Sequence, residues 1–485
     1  MRLCNTLTGK KEILKRPKNR PLKLFVCGPT VYDYSHIGHA RTYIVFDTLV
    51  KFLRSQGYKI LYLQNITDVD DKIIKRSRQQ NKNPFSLARF FEREYYSDMK
   101  LLRVNSVNRY ARASEYIKEI QQQIAVLLKK GYAYQTKNGL YFEVKKYKDY
   151  GKLSRQNLEA LRPGWRIEPD PYKKDPLDFA LWKLAKGGST PMVRRLTRNS
   201  YKKPVIIDGE PAWWSPWGWG RPGWHIEDTA ITQKFFGPQY DLHGAGVDLK
   251  FPHHESEIAQ QESASGKKPF VKIWLHVGHL LVKNKKMSKS LGNFITIKDF
   301  LKQFGKVDET NLLRWIILRQ HYRSPVDYNE KIAKGAKKSL ETIQEFLEKL
   351  RMAKVASIKY KVLSIKIDVK KYENLFNRAM KDDFNTPKAI ATIFELIASL
   401  QDKIWKLPPS QVKKIEVFIT EKLKLLGIII KLPKIPRKIM VLSAQRENLR
   451  SNQQFIQADH LRKKIEALGY RVEDTTFGSL IQRKS

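Results

Sequence analysis

An apolar run near the start of the chain limits its fold more than any other feature. Leu22 to Cys27 is almost continuously hydrophobic and stops at Gly28-Pro29. A run of that kind suits a short strand buried on both faces. After a turn at Tyr32–Ser35, the segment from His36 to Gly57 spaces Ala40, Ile44, Phe46, Leu49 and Phe52-Leu53 as a helix would. A second apolar run, Tyr58–Gln64, ends at Asn65-Ile66-Thr67-Asp68. Strand, helix and strand in this order form a right-handed unit on a parallel sheet, so the fold class is α/β. Such sheets bind ligands beyond the carboxyl ends of their strands, where Cys27 and Thr67 both fall.

Further along, residues 90–130 read as helical, with Ile117, Ile120, Ile124 and Leu127 on one face. Residues 131–190 are mixed, with a strand-like Gly139–Val144 and a proline-rich stretch at 163–176. Residues 187–206 read as a basic surface insertion. Residues 209–224 hold Trp213, Trp214, Trp217, Trp219 and Trp224 among Pro and Gly, and predict a self-packed loop without regular structure. These tryptophans suit pocket walls and packing better than base stacking.

From about 306 the pattern turns helical. Glu309–His321 is amphipathic, and Asn329–Arg351 carries Ile332, Ala336, Leu340, Ile343, Leu347 and Leu350 at spacings of three and four. Thr386-Pro387 reads as an N-cap followed by proline in the first turn, opening a helix through Ile390, Phe394, Ile397 and Leu400. A proline-containing linker at Lys431–Arg437 leads to a tail read as one helix over 440–468, Gly469 as its stop, and a short β segment.

The 485 residues hold 92 Lys+Arg against 48 Asp+Glu, a net charge of +44. A surface this basic attracts polyanions, nucleic acid first and membrane lipid second. The only cysteines are Cys4 and Cys27, which excludes a disulfide framework and fits a reducing compartment. The polar, basic start has no signal-peptide core, and no apolar run approaches the ~18 residues of a membrane span. A soluble cytoplasmic protein is expected.

Two motifs carry chemistry. His36-Ile37-Gly38-His39 falls where a strand gives way to a helix, whose N-terminus favours phosphate. Two histidines one turn apart add donors, and Gly38 leaves room for a nucleotide. Lys285-Lys286-Met287-Ser288-Lys289-Ser290, before Leu291-Gly292-Asn293, reads as a mobile loop whose lysines can neutralise a leaving pyrophosphate. Either motif alone is weak, the first being ordinary capping and the second a solvated loop.

In this order and spacing, the pair resembles the class I aminoacyl-tRNA synthetases. Further blocks resemble the cysteinyl-tRNA synthetases among them: Phe25-Val-Cys-Gly-Pro-Thr-Val-Tyr-Asp33, Asn65-Ile-Thr-Asp-Val-Asp-Asp-Lys72, Leu177-Asp-Phe-Ala-Leu-Trp-Lys183 and Gly220-Arg-Pro-Gly-Trp-His-Ile-Glu227. Phe251-Pro-His-His-Glu-Ser-Glu257 and His321-Tyr-Arg-Ser-Pro-Val-Asp-Tyr328 are similar too, and the likeness runs from Asn5-Thr-Leu-Thr8 to Val472-Glu-Asp474.

The resemblance implies a Rossmann-like catalytic domain in two halves, 1–110 and 191–270, around a connective insertion at 111–190. It implies a stem-contact segment with the lysine loop at 271–310, a helical anticodon-side bundle at 311–430 and a small mixed anticodon-binding domain at 438–485. It implies one Zn2+ per chain on Cys27, Asp228, His253 and Glu257, and Mg2+ with ATP. Zinc binds a thiolate well and a hydroxyl poorly, so cysteine is chosen over serine by its sulfur. The family has cysteine at the position of Asp228; aspartate is still a competent zinc ligand, and the alternative is a helix cap with a weakened metal site.

Thr30, Thr67 and Trp224 are implied on the substrate-cysteine side. His36, Gly38, His39, Asp248, Lys286 and Lys289 are implied on the ATP side, with His36, His39, Lys286 and Lys289 catalytic. The implied partners are L-cysteine, ATP and tRNA(Cys), bound by a monomer. The family's Gly-Thr-x-Trp near the end is Gly478-Ser-Leu-Ile481 here, which removes a stacking tryptophan. Arg194, Arg195, Arg198, Lys202 and Lys203 are candidates for contact with the acceptor stem. Rival readings are a paralogue joining cysteine to a small amine, a catalytically dead tRNA-binding paralogue and an unrelated nucleotidyltransferase.

Overall fold

The computed structural model describes residues 1–156, 170–186, 203–287, 292–303, 308–360, 365–401, 403–475 and 478–483. Lys289, Arg194, Arg195, Arg198 and Lys202 lie outside them; Lys203 is described and exposed. The chain divides into two compact units, Met1–Phe300 with Tyr322–Asp327, and Leu301–His321 with Tyr328–Ser485.

The first unit is built on a five-stranded parallel sheet, in the order Val271–Val277, Tyr240–Gly246, Leu22–Val26, Ile60–Ile66, Arg109–Arg112. Leu24, Phe25 and Val26 are wholly buried, as a central parallel strand requires. The helix between the first two sheet strands, α1 (Ile37–Ser55), buries Ala40, Ile44, Phe46, Leu49, Phe52 and Leu53. Leu22–Val26 has its sequence neighbour, Ile60–Ile66, on one side and Tyr240–Gly246 on the other. The order reverses there, and the crevice beyond its carboxyl end is the expected ligand site.

The continuous helical reading of 90–130 is corrected. Helices Pro84–Leu101 and Ile117–Lys129 flank the sheet strand Arg109–Arg112, with Arg103 at φ +57 in the break. Residues 209–224 are also more regular than expected: Glu210–Ala212 and Gly220–Pro222 are strands. Gly220–Pro222 edges an antiparallel sheet with Phe179–Leu184, Gly139–Phe142 and Ala133–Gln135. Gly223 lies so close to that sheet that an added Cβ would sit 1.9 Å from the Ala180 carbonyl oxygen.

The second unit is mostly helical, with helices Glu309–Leu318, Glu330–Tyr360, Val369–Lys381, Thr386–Leu400 and Pro409–Leu425. The cap of Thr386–Leu400 is Asn385, one residue earlier than read from the sequence; its side chain accepts the Lys388 N–H at 3.1 Å. The tail is two helices, Arg437–Ser451 and Phe455–Ala467, because Gln453 adopts φ +59 between them. Gly469, at φ +86, leads into an antiparallel hairpin, Tyr470–Thr475 with Gly478–Arg483. Among the described residues, no helix is long and apolar enough to cross a membrane.

Candidate active site

A cleft of about 540 Å³ opens over the carboxyl ends of Leu22–Val26, Ile60–Ile66 and Tyr240–Gly246. Its walls include Cys27, Thr30, Thr67, Trp224, Asp228 and His253. His36, Gly38, His39, Asp248 and Lys286 line the same cleft, so residues more than 250 positions apart in sequence meet here.

Backbone close approach shapes the floor. Gly28 N–H donates to Asn65 Oδ1 at 2.5 Å, and a Cβ on Gly28 would lie 1.7 Å from the Asn65 carbonyl oxygen. Thr67 N–H donates to the Pro29 carbonyl, and Thr30 and Thr67 bridge in parallel. The Thr67 hydroxyl donates in turn to Glu227.

The histidine pair caps α1. The Gly38 N–H donates to His36 Nδ1 at 3.0 Å, and the His36 N–H donates to His39 Nδ1 at 3.2 Å. The rings stack with centroids 3.9 Å apart. Both Nδ1 atoms accept, which assigns the proton of each neutral ring to Nε2. Burial drives His36 down to about 2, helped by His39, and drives His39 down to about 4, helped by Lys72. The turn therefore offers two neutral N–H donors beside a helix N-terminus. A Cβ on Gly38 would lie 2.7 Å from the His36 ring and 2.9 Å from the end of Met287. Lys286 Nζ lies 4.0 Å from Asp248 Oδ2 and is otherwise open to solvent.

The opposite end of the cleft holds potential metal donors. Cys27 follows the central strand, Asp228 sits on helix Ile226–Phe236, His253 precedes helix Glu255–Ser265, and Glu257 is on it. All four are buried, with one donor atom from each within 4.8 Å of the others. His253 Nε2 is 3.1 Å from Asp228 Oδ2 and 3.0 Å from Glu257 Oε1. Asp228 Oδ1 and Glu257 Oε2 are buried without hydrogen-bond partners.

Burial and the nearby carboxylates of Glu257 and Asp228 push the Cys27 thiol well above its usual range. Burial also lifts Glu257 to about 7, although His253 opposes it. Burial pulls His253 down, but Glu257 and Asp228 outweigh it and bring it to about 9. A buried thiol and two carboxylates with unpartnered oxygens fit a divalent cation, whose charge would offset theirs.

Sequence reasoning missed His243 and His254. Cys27 Sγ lies 3.2 Å from His243 Nε2 and 3.1 Å from His254 Nε2, and Cys27, His243, His254 and Glu257 form a second possible metal-holding group. Tyr240 Oη fixes His243 Nδ1 at 2.6 Å; His276 Nε2 fixes His254 Nδ1 at 2.8 Å. The adjacency of His254 to His253 was a signal in the sequence. His243 had none, because it reaches Cys27 only through strand register.

A parallel nucleotide-binding sheet, a histidine-capped helix at its switch point and a lysine hairpin across the cleft define a class I aminoacyl-tRNA synthetase architecture. Residues 13–195 and 201–338 match the tRNA synthetases class I (C) catalytic domain, and residues 375–429 match the DALR domain. The cysteine–tRNA ligase of Thermococcus onnurineus is 41% identical, covering 100% of this chain and 99% of its own. That of Coxiella burnetii strain Dugway is 40% identical over 99% of each. The fold is shared with a methionyl-tRNA synthetase of Mycobacterium tuberculosis, at TM-score 0.57 and 14% identity, covering 84% of this chain and 89% of that one. The chain belongs to the cysteine–tRNA ligase family.

Proposed function

We propose that the chain activates L-cysteine with ATP to cysteinyl-adenylate and pyrophosphate, then transfers the cysteinyl group to the 3′-terminal ribose of tRNA(Cys). The observation that carries this reading is the single cleft that places the His36/His39 donors and Lys286 opposite the Cys27, Asp228 and His253 cluster. One end suits the phosphates of magnesium-bound ATP and the other a thiol.

In the first step a carboxylate oxygen of cysteine attacks the α-phosphorus as the bond to the β-phosphate oxygen breaks. No protein nucleophile is required. The Nε2–H groups of His36 and His39 donate to phosphate oxygens, and Lys286, with Lys289, neutralises the departing pyrophosphate. Asp248 faces the ribose, while Thr30, Thr67 and Trp224 hold the amino acid. In the second step the ribose hydroxyl attacks the adenylate carbonyl and AMP leaves.

Of the two donor groups, Cys27, Asp228, His253 and Glu257 are the proposed zinc ligands. Cys27, Asp228 and His253 face the cleft, whereas His243 and His254 do not line it. The inner histidines then serve as hydrogen-bonding partners of the Cys27 sulfur, steadying a ligand from behind. Bound zinc would supply a site that prefers sulfur to a hydroxyl. The proposal includes a soluble, cytoplasmic, monomeric enzyme with domains at the boundaries read from the sequence. The match over 375–429 and full-length coverage by relatives disfavour a small-amine paralogue lacking the anticodon half.

The test is ATP–pyrophosphate exchange with each amino acid, with and without a zinc chelator. Exchange with cysteine alone, lost on chelation, is expected. No exchange with any amino acid would overturn the reading in favour of a dead paralogue.

A further inference from the structure

Arg41 lies one turn into α1, two residues beyond His39, and has no assigned role in phosphate chemistry. Only 1% of it is exposed. Its guanidinium donates to three backbone carbonyls: His279, Ser324 and, at 3.3 Å, Tyr322. A guanidinium buried this deeply is costly unless its donors are matched, and here three backbone carbonyls match them. Burial lowers Arg41 only to about 10, so it remains charged at neutral pH.

What it fixes is the approach to Lys286. Gly278 and His279 line the cleft, and their backbone is tied to the segment Arg41 grips. Gly278 N–H donates to the Tyr322 carbonyl at 2.8 Å, and Val326 N–H donates to the His279 carbonyl at 2.9 Å. The fit admits no slack, because a Cβ on Gly278 would sit 2.6 Å from the Arg323 carbonyl oxygen. Two residues later the hairpin Leu280–Val282 with Lys285–Lys286 begins, and its tip is pinned where Asn284 N–H donates to Asp327 Oδ1 at 2.6 Å.

Beyond the lysine loop the chain returns to the histidines. Ile37 N–H donates to the Ile295 carbonyl at 3.1 Å, Ile297 N–H donates to the Ser35 carbonyl at 2.9 Å, and the Phe294 and His36 rings are 5.1 Å apart. The segments on either side of the lysine loop are thus anchored to the α1 N-terminus, and Arg41 provides the anchor on the near side.

We infer that Arg41 is a positioning residue that holds the Lys286 hairpin against the His36/His39 turn, so that the three side chains act on the phosphates as one unit. The inference rests on the reading of Lys286 and the histidines as the phosphate-side groups. A residue acting through another has a kinetic signature. Displacing Lys286 lowers kcat for adenylate formation and leaves the cysteine end of the cleft undisturbed. Once Lys286 is gone, losing Arg41 removes little more.

The test is ATP–pyrophosphate exchange by the full-length protein as wild type, Arg41→Lys, Lys286→Ala and the double variant. Expected are a fall in kcat of about 100-fold for Arg41→Lys with an unchanged KM for cysteine. The double variant should then be within about threefold of Lys286→Ala. Losses that multiply in the double variant, or a raised KM for cysteine at normal kcat, would overturn the inference. An unimpaired Lys286→Ala would instead overturn the functional reading beneath it. If Arg41→Lys does not fold, Asp327→Ala, which removes the carboxylate that accepts the Asn284 N–H, tests the same positioning of the hairpin in the same cycle with the same two outcomes.

Discussion

Replacing Asp228 by asparagine should move two properties in opposite directions. In the protein without metal, Asp228 is fully buried, its Oδ1 has no hydrogen-bond partner, and Oδ2 shares His253 with Glu257. Asparagine keeps the shape and removes one of two crowded carboxylates. A buried carboxylate next to a second one costs desolvation and like-charge repulsion that a neutral amide does not, so chelated Asp228→Asn should be more stable than chelated wild type by about 1–3 kcal/mol. For a unit of this size, that is a rise of a few degrees in Tm.

If Asp228 is a ligand, zinc affinity should fall by at least about 100-fold, or about 2.8 kcal/mol at 1.4 kcal/mol per factor of ten. Because a ligand that binds only the native state stabilises it by mass action, saturating zinc should reverse the order. The assay is thermal unfolding of both proteins in chelator and across a zinc titration. A variant that binds zinc as tightly as wild type, or is less stable without metal, would refute the argument.

Three further outcomes follow from the same geometry. Gly28→Ala should destabilise the protein by about 1–3 kcal/mol and depress cysteine activation, since its Cβ would collide with the Asn65 carbonyl; a urea midpoint equal to wild type would count against this. Folded-state values of about 2 for His36 and about 4 for His39 lie below the ordinary 6.5. The unfolded chain therefore binds more protons in between, and their stabilising contribution is complete above pH 6.5 and is lost as pH falls, down to about 4 for His39 and about 2 for His36. Urea midpoints at pH 7.5 and 5 should show the loss, and His39→Gln should reduce it. With a net charge of +44, affinity for tRNA should fall linearly on a log–log plot against salt; a flat plot would place the basic surface outside the interface.

The first half of the sheet was legible because its signal is local. A buried parallel strand and its covering helix each write their period directly into residues 22–64. The remaining sheet strands were harder: Arg109–Arg112 is four residues between two helices and earns its place only by pairing with Ile60–Ile66. Glu210–Ala212 and Gly220–Pro222 are too short and too rich in Gly and Pro to alternate visibly, and tertiary pairing makes them strands. The break at Gln453 follows from a single backbone angle that no glycine announced. At the site, His36, His39, Cys27 and Thr67 fall at the ends of predicted elements and could be placed beforehand. That His253, Asp228 and Glu257 join Cys27 depended on family likeness, and His243 depends on a register that one sequence does not state.

The central strand has one consequence for the making of the protein. Leu22–Val26 and Cys27 leave the ribosome well before Tyr240–Gly246, which closes the strand's far side. The imidazoles facing the sulfur follow Cys27 by 216 and 227 residues. At about 5–20 residues per second, the nascent chain carries that thiol for roughly 10–45 s before its partners exist. During this interval Cys27 is an ordinary cysteine at an unfinished sheet edge, open to oxidants and stray metals. A donor made this long before its partners should leave the yield of active protein sensitive to the redox and metal conditions of translation.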